Sequence, residues 1–350
     1  PESALSQNDM DIAASLQSVT EEIILKLANY VYAQTGIKNL CLAGGCALNC
    51  VSNGNILKNG KYENIWIQPA AGDAGGALGA ALAIYYTVLD NKRNVNPDDS
   101  QSGSLLGPKY SDEQIIEMLN KFNAVYTKCE SEDETVKLIA KYISEGKSVG
   151  HFAGRMEYGP RALGNRSILA DSRNKEMQKN LNLAIKKRES FRPFAPSCLE
   201  EDVEEFFDIK KGKKSPYMLL TQPISDKIKT KLTEEEKNYK GLDKLKACRS
   251  TLPAITHVNY SARIQTVSKK VNPRYWNIIN EFKKLTACSV IVNTSFNIRG
   301  EPIVNTPENA FKCFMFTDLD VLVIENFVLL KQNQTKIEGI EQYQKQFKLD

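Results

Sequence analysis

The sequence predicts an α/β protein in two parts, and three observations carry that reading. Helix-period and strand-period segments alternate from residue 10 to about residue 89. Short apolar runs of strand length recur through the remainder, separated by turn residues. A composition of 42% hydrophobic and 25% charged residues is that of a globular protein, and 350 residues suffice for about two domains with a core each.

In chain order, Ile12, Leu16, Val19, Ile23 and Leu27 recur at helical spacing, which predicts an amphipathic helix over 10–36 ended at Gly36. A buried strand is expected at 39–43, then a Gly/Asn-rich turn and a helix from about Ala47. A strand at 65–67 leads into a small-residue helix over 70–79. Residues 90–104, polar and broken by Pro and Gly, read as the linker between the parts. Ser111 or Asp112 caps the next helix, and another runs to Gly146. Strands are expected at 148–152, 217–221, 254–258, 289–293 and 320–330, with helices at 174–186 and 274–285. Residues 227–246, rich in Lys and Glu, read as a solvated insertion.

Several function classes are excluded or weakened at this stage. No apolar run approaches the roughly 18 residues that span a bilayer, and Pro1-Glu2-Ser3-Ala4 has no signal-like region, so no membrane partner is expected. The eight cysteines show no zinc-type spacing and read as thiols of a reducing compartment, the cytoplasm. A net charge of +4 does not argue for nucleic acid. Its distribution is more informative. Residues 151–192 hold ten Lys and Arg against four Asp and Glu.

That window contains Gly159-Pro160-Arg161-Ala162-Leu163-Gly164-Asn165-Arg166-Ser167 and Lys186-Lys187-Arg188-Glu189-Ser190-Phe191-Arg192-Pro193-Phe194. Arginine beside Gly and Pro in loops places rigid guanidinium forks where they can converge on phosphate oxygens; a merely solvated basic face uses Lys on helices. Three further polar clusters follow buried segments: Gly44-Gly45 with Asn49, the run from His257 to Arg263, and Asn293-Thr294-Ser295-Phe296-Asn297. Paired glycines before a helix let backbone amides approach an anion. Asp73, in Gly72-Asp73-Ala74-Gly75-Gly76, is either a helix cap or a metal ligand.

Taken together, these motifs resemble the O-carbamoyltransferases of nodulation and antibiotic tailoring, over about Ala13 to Leu330. The resemblance implies the C-terminal part of an actin/sugar-kinase-like ATPase domain, related to the threonylcarbamoyl-transfer protein, over 1–95. A threonylcarbamoyl-adenylate-synthase-like α/β domain would follow over 105–335, with a tail at 336–350. It implies carbamoyl transfer from carbamoyl phosphate, through an ATP-derived carbamoyl adenylate, to a hydroxyl of a sugar or natural product. By that resemblance Lys187 and Arg263 are catalytic, and Arg161, Arg166, Arg188, Arg192, Asn293 and Ser295 bind carbamoyl phosphate and ATP. Gly44, Gly45 and Asn49 would contact nucleotide. ATP and Mg²⁺ are the implied cofactors, with iron or zinc in the full-length enzyme and Asp73 as one ligand. Only two histidines, His151 and His257, occur here, and one carboxylate does not close a metal site, so the remaining ligands are expected from an N-terminal half on the same or a separate chain. A tRNA-modifying threonylcarbamoyl-adenylate enzyme shares this physics and is the alternative. An RNA-binding module using Tyr158, Phe191 and Phe194 is a further rival.

Overall fold

The computed structural model describes residues 5–96, 99–335 and 340–347. Helix α1 (Gln7–Thr35) begins at a reciprocal Ser6–Asp9 capping box and ends at left-handed Gly36. Strand β1 (Asn39–Leu42) pairs in parallel with β2 (Asn64–Ile67), and α2 (Cys50–Asn59) connects them after a 3₁₀ turn at Gly45–Leu48. Helix α3 (Gly75–Ala83) follows and runs into a π-turn at Ile84–Val88. These elements lie close to their expected places.

The burial of α1 is the surprise. Its stripe of Ile12, Leu16, Val19, Ile23 and Leu27 is 52–67% exposed, and Ala28 is its one buried residue, facing Ile56 and Tyr62. The helix reading holds, while the face that the periodicity marked points to solvent.

Beyond the linker, a nine-stranded mixed sheet carries the larger core. Its strands are β3 (Thr127–Lys128), β4 (Val149–Phe152), β5 (Arg166–Asp171), β6 (Ala195–Leu199), β7 (Leu220–Pro223), β8 (Ser261–Val267), β9 (Val290–Ser295), β10 (Val321–Ile324) and β11 (Phe327–Leu330). They lie in the order β3-β11-β10-β4-β5-β9-β6-β8-β7. Helices α4 (Asp112–Lys121) and α5 (Glu132–Ser144) precede β4. Short α6 (Met177–Asn180), α7 (Val203–Phe206) and α8 (Glu234–Lys237) lie between β5 and β8. Helix α9 (Pro273–Thr286) packs on α5, and α10 (Pro307–Met315) packs on β4 and β10. A smaller apolar cluster joins Ala47, Ile67 and Ala71 of the first part to Leu163, Ala195 and Tyr217–Leu220 of the second.

Several expected elements are corrected. Residues 254–258 form no strand: Pro253 lacks an amide to donate and opens a 3₁₀ turn at Pro253–Ile255. The chain then reverses at Tyr260 (φ +60°), and the strand is β8. The segment 320–330 is a hairpin broken at Glu325 (φ +47°). Strands β5 and β6 were unexpected, because one opens with Arg166 and the other contains Pro196 between two neighbouring strands. The segment 174–186 splits into α6 and a π-turn at Leu181–Lys186. In the tail, α11 (Ile340–Lys345) returns to the core, where Tyr343 is buried; 336–339 and 348–350 lie outside the described residues.

His151, fully buried on β4, hydrogen-bonds through Nδ1 to the Gly164 carbonyl at 2.6 Å, and burial pushes its pKa down to about 3. The unfolded imidazole takes a proton near 6.5 while the folded one stays neutral, so this group's stabilisation is lost as pH falls from about 6.5 towards 3. His151→Asn, whose amide reaches the same carbonyl, should unfold less steeply with acid than the wild type. The expected difference is on the order of 3 kcal/mol by pH 4 in denaturant titrations.

Candidate active site

The site begins with loop 153–165, which links antiparallel β4 and β5. A buried carboxylate organises it. Glu157 Oε1 accepts from the amides of Leu163 (2.7 Å), Asn165 (2.8 Å) and Arg166 (3.4 Å). Burial pushes the Glu157 carboxyl up, and these backbone bonds oppose that shift. At Gly159 (φ +140°) a Cβ would stand 3.1 Å from the Pro69 carbonyl, and the Tyr158 hydroxyl donates to the Ala74 carbonyl. The loop is therefore pressed against the segment that carries Asp73. Asn293 on β9 fastens it from below, donating to the Ala162 carbonyl (3.3 Å) and to Gln265 Oε1 (2.8 Å), while Gln265 donates to the Leu163 carbonyl (2.8 Å).

This framework holds Arg161 over the start of α2. Its guanidinium donates weakly to the Leu48 carbonyl (3.4 Å), and its buried Nε has no partner. Arg263 on β8 lies close by. Burial, and after it the charge of Arg161, pull the Arg263 pKa down to about 10. Among the described residues no carboxylate pairs with either one. Cys50, the first residue of α2, is near enough to influence both, and the helix itself is capped by Asn49, which accepts from the Ser52 amide at 3.1 Å. Two guanidiniums without counter-charge, beside the positive end of a helix, create a strong preference for an anion. His257 adds no charge: burial and Arg263 push it down to about 4.

The positive region continues. Burial lowers Arg188 to about 10, and Arg192 and Arg263 both depress it. Its Nε donates to Asn182 Oδ1 (2.7 Å), and it lies over the buried Phe194 ring. Arg192 pairs with Glu189 at 2.9 Å, which also meets Arg299 at 3.3 Å. The structure thus brings Arg161, Arg263, Arg188 and Arg192 into one electropositive run. Of the three aromatics that an RNA-binding surface would use, Phe194 is too deeply buried to stack a base, while Tyr158 and Phe191 stay half-buried.

Two expectations are corrected here. Arg166 faces no ligand space. It is fully buried on the Phe152 ring, and it donates to the carbonyls of Ala153 (3.0 Å), Asn165 (2.9 Å), Pro108 (3.2 Å) and Gly154 (3.2 Å). It is a structural crosslink. Lys187 does not join the buried cluster: in the left-handed conformation (φ +50°) it turns outward towards Asp318, 3.5 Å away. Lys186 is the buried one. Its ammonium is gripped by the Ser295 carbonyl and hydroxyl (the latter at 3.2 Å) and by the Asn297 carbonyl (3.0 Å) and Oδ1 (2.8 Å). Burial, and then Arg188, push its pKa down to about 7. The missed signal was the i, i+4 spacing that places Lys186 on the same inward face as buried Asn182.

The remaining expected residues sit on the first part. Gly44 needs its φ of +96°, and both Gly44 and Gly45 leave open space where a Cβ would stand. The Asn49 amide is engaged as the cap and with Gln17 at 3.0 Å. Asp73 is exposed, its carboxylate forms no hydrogen bond among the described residues, and it does not cap α3. No group of three or more His, Cys, Asp or Glu lies together among the described residues. The iron or zinc implied by the resemblance therefore finds no fitting donor set on them, and no step below is routed through it. A cavity of about 820 Å³ between α2 and β7 contains none of the four arginines; a second, of about 700 Å³, reaches Gln265 and Leu163 behind the loop.

Residues 140–331 match the carbamoyltransferase C-terminus family, and residues 2–82 match the carbamoyltransferase N-terminus family. The chain is 53% identical, over its full length and 57% of the relative's, to the uncharacterized protein sll1178 of Synechocystis sp.. It is 41% identical, over 93% of its own length and 56% of the relative's, to nodulation protein NolO of Bradyrhizobium diazoefficiens. It thus spans little more than half the length of these relatives. A crystal structure of full-length HypF in a phosphate- and nucleotide-bound form aligns over 57% of this chain and 22% of its own, at 18% identity and a TM-score of 0.33. By the match that covers most of its second part, the chain belongs to the carbamoyltransferase family.

Proposed function

We propose that this chain forms part of an ATP-dependent O-carbamoyltransferase and that the electropositive run binds carbamoyl phosphate and ATP. The observation that supports it most is the Arg161–Arg263 pair, held without counter-charge against the start of α2. Carbamoyl phosphate and Mg²⁺-ATP are both anions, and they come together only where their repulsion is neutralised. Preorganised guanidinium forks supply that neutralisation. Water cleaves carbamoyl phosphate to carbamate and phosphate, the carbamate oxygen attacks the α-phosphorus of ATP and expels pyrophosphate, and AMP then leaves when the acceptor hydroxyl takes the carbamoyl group. In this reading Arg188 holds the carbamoyl phosphate end, the buried Lys186–Ser295–Asn297 cluster shapes the wall behind it, and the acceptor is a hydroxyl of a sugar or natural product. Residues 105–335 act as the adenylate-forming, synthase-like domain. Residues 1–95 act as part of the actin-like transfer domain, with Gly44 and Gly45 facing nucleotide.

The length of the relatives beyond this chain supplies the covering of α1. A two-stranded sheet flanked by a helix with an exposed apolar stripe is marginal by itself, and β1 pairs with β2 alone among the described residues. Iron or zinc, if the whole enzyme carries it, would take most of its ligands from that remainder.

Incubation with ATP, Mg²⁺ and carbamoyl phosphate should yield carbamoyl adenylate by mass spectrometry. No adenylate from folded protein would refute the assignment, and adenylate dependent on threonine and bicarbonate would favour the tRNA-modifying alternative. Lys186→Met should weaken carbamoyl phosphate binding by about tenfold or more, because the Ser295 and Asn297 acceptors lose the buried ammonium that holds their turn in place. Lys187→Ala should leave it within about twofold, because an exposed pair with Asp318 contributes little. Calorimetry distinguishes the two.

A further inference from the structure

We propose that Tyr343, on the C-terminal helix α11, is a positioning residue that latches the turn gripping Lys186. The proposal rests on the reading above, in which Lys186, Ser295 and Asn297 form part of the binding site. The connection is continuous. Buried Tyr343 stacks on Phe316 (centroids 4.6 Å apart, planes 21° from parallel), and its hydroxyl donates to Glu301 Oε1. The other oxygen of Glu301 accepts from the Ile298 amide at 2.9 Å, and its carbonyl accepts from Asn297 Nδ2 at 2.6 Å. Asn297 Oδ1 in turn accepts from Ser295 Oγ (2.7 Å) and from Lys186 Nζ (2.8 Å). The Arg299 amide closes the circuit on the Lys186 carbonyl at 3.1 Å.

One phenol thus fixes the carboxylate around which residues 297–301 are folded, and that fold aims Asn297 at the lysine. Glu301 is buried, so burial raises its carboxyl, while the Tyr343 bond is the largest influence holding it down. The groups that face the Lys186 ammonium are Arg188 from its own turn, Glu301 from the loop and Cys313 from α10. Only Glu301 among them is joined to the C-terminal helix by a hydrogen bond. A helix that merely covered the core would need only a phenylalanine on Phe316, since a buried hydroxyl is costly unless it has a partner.

Tyr343→Phe keeps the stack and removes the latch. Measured on the full chain, amide hydrogen exchange across 297–301 should accelerate, with α5 and α9 unchanged. Carbamoyl phosphate affinity should fall about fivefold, the effect of one hydrogen bond to a charged group. Affinity in the wild type should decline as pH rises through about 7, where Lys186 loses its proton. In the variant that decline should move to lower pH, because Glu301 protonates more readily and supports the ammonium less. Exchange and pH profile identical to wild type would overturn the latch. If the wild type binds no carbamoyl phosphate, the functional reading fails instead, and the exchange of 297–301 still decides whether Tyr343 holds the turn.

Discussion

Arg263→Met should lose carbamoyl phosphate affinity by about 30-fold or more while the protein melts at an unchanged or higher temperature. The two effects share one cause. In the free protein Arg263 is buried beside a second cation, Arg161, with no carboxylate to offset either, so both fall below the usual guanidinium range. Methionine keeps the apolar stem and removes a charge that the unliganded fold must desolvate and that repels its neighbour, so stability holds or rises. The ligand, in turn, loses a forked charge-assisted contact of about 2–3 kcal/mol. Opposite signs for binding and stability mark a residue kept for its ligand. Calorimetric binding together with a thermal scan tests both signs. A lowered melting temperature with unaltered affinity would make Arg263 structural.

Arg166→Met should do the reverse. Removing this guanidinium leaves the carbonyls of Ala153 and Gly154 without their donor in a buried place, while those of Asn165 and Pro108 keep only the amides of Ala153 and Met156, and it takes away the cation that Glu157 and Glu325 face. Breaking one side of such a buried network costs about 3–5 kcal/mol. Denaturant unfolding should show that loss, and loop 153–165 should exchange its amides faster. Carbamoyl phosphate affinity of the protein that remains folded should change by less than about threefold, apart from what the loosened loop costs. An unaltered denaturation midpoint would disprove the crosslink. The contrast is sharp because Arg161 and Arg166 stand five positions apart in one motif.

That contrast also shows what kind of information each level holds. Arg161 and Arg166 belong to one Gly- and Arg-rich motif, yet one meets Leu48 across the two parts and the other is enclosed by its own loop and Pro108. Which fate each takes depends on Glu157 gathering three amides, a contact that spacing does not announce. The lysine pair was lost for a local reason: a single left-handed residue at 187 reverses the chain, and non-glycine residues rarely signal that conformation. Strand β6 was hidden by Pro196, which argues against a central strand although both of its neighbours pair with it.

Local signals in the chain were enough for the α/β alternation, the Gly36 end of α1, the placement of β1, β2, β4 and α9, and the concentration of cations between 151 and 192. Those follow from periodicity, capping and composition, which are local. Only the tertiary structure decided which cations share a space, which lysine enters it, and which apolar face of α1 stays uncovered. Electrostatic convergence and burial are set by residues far apart in the chain, as Arg161 and Arg263 show, and no window of sequence contains both.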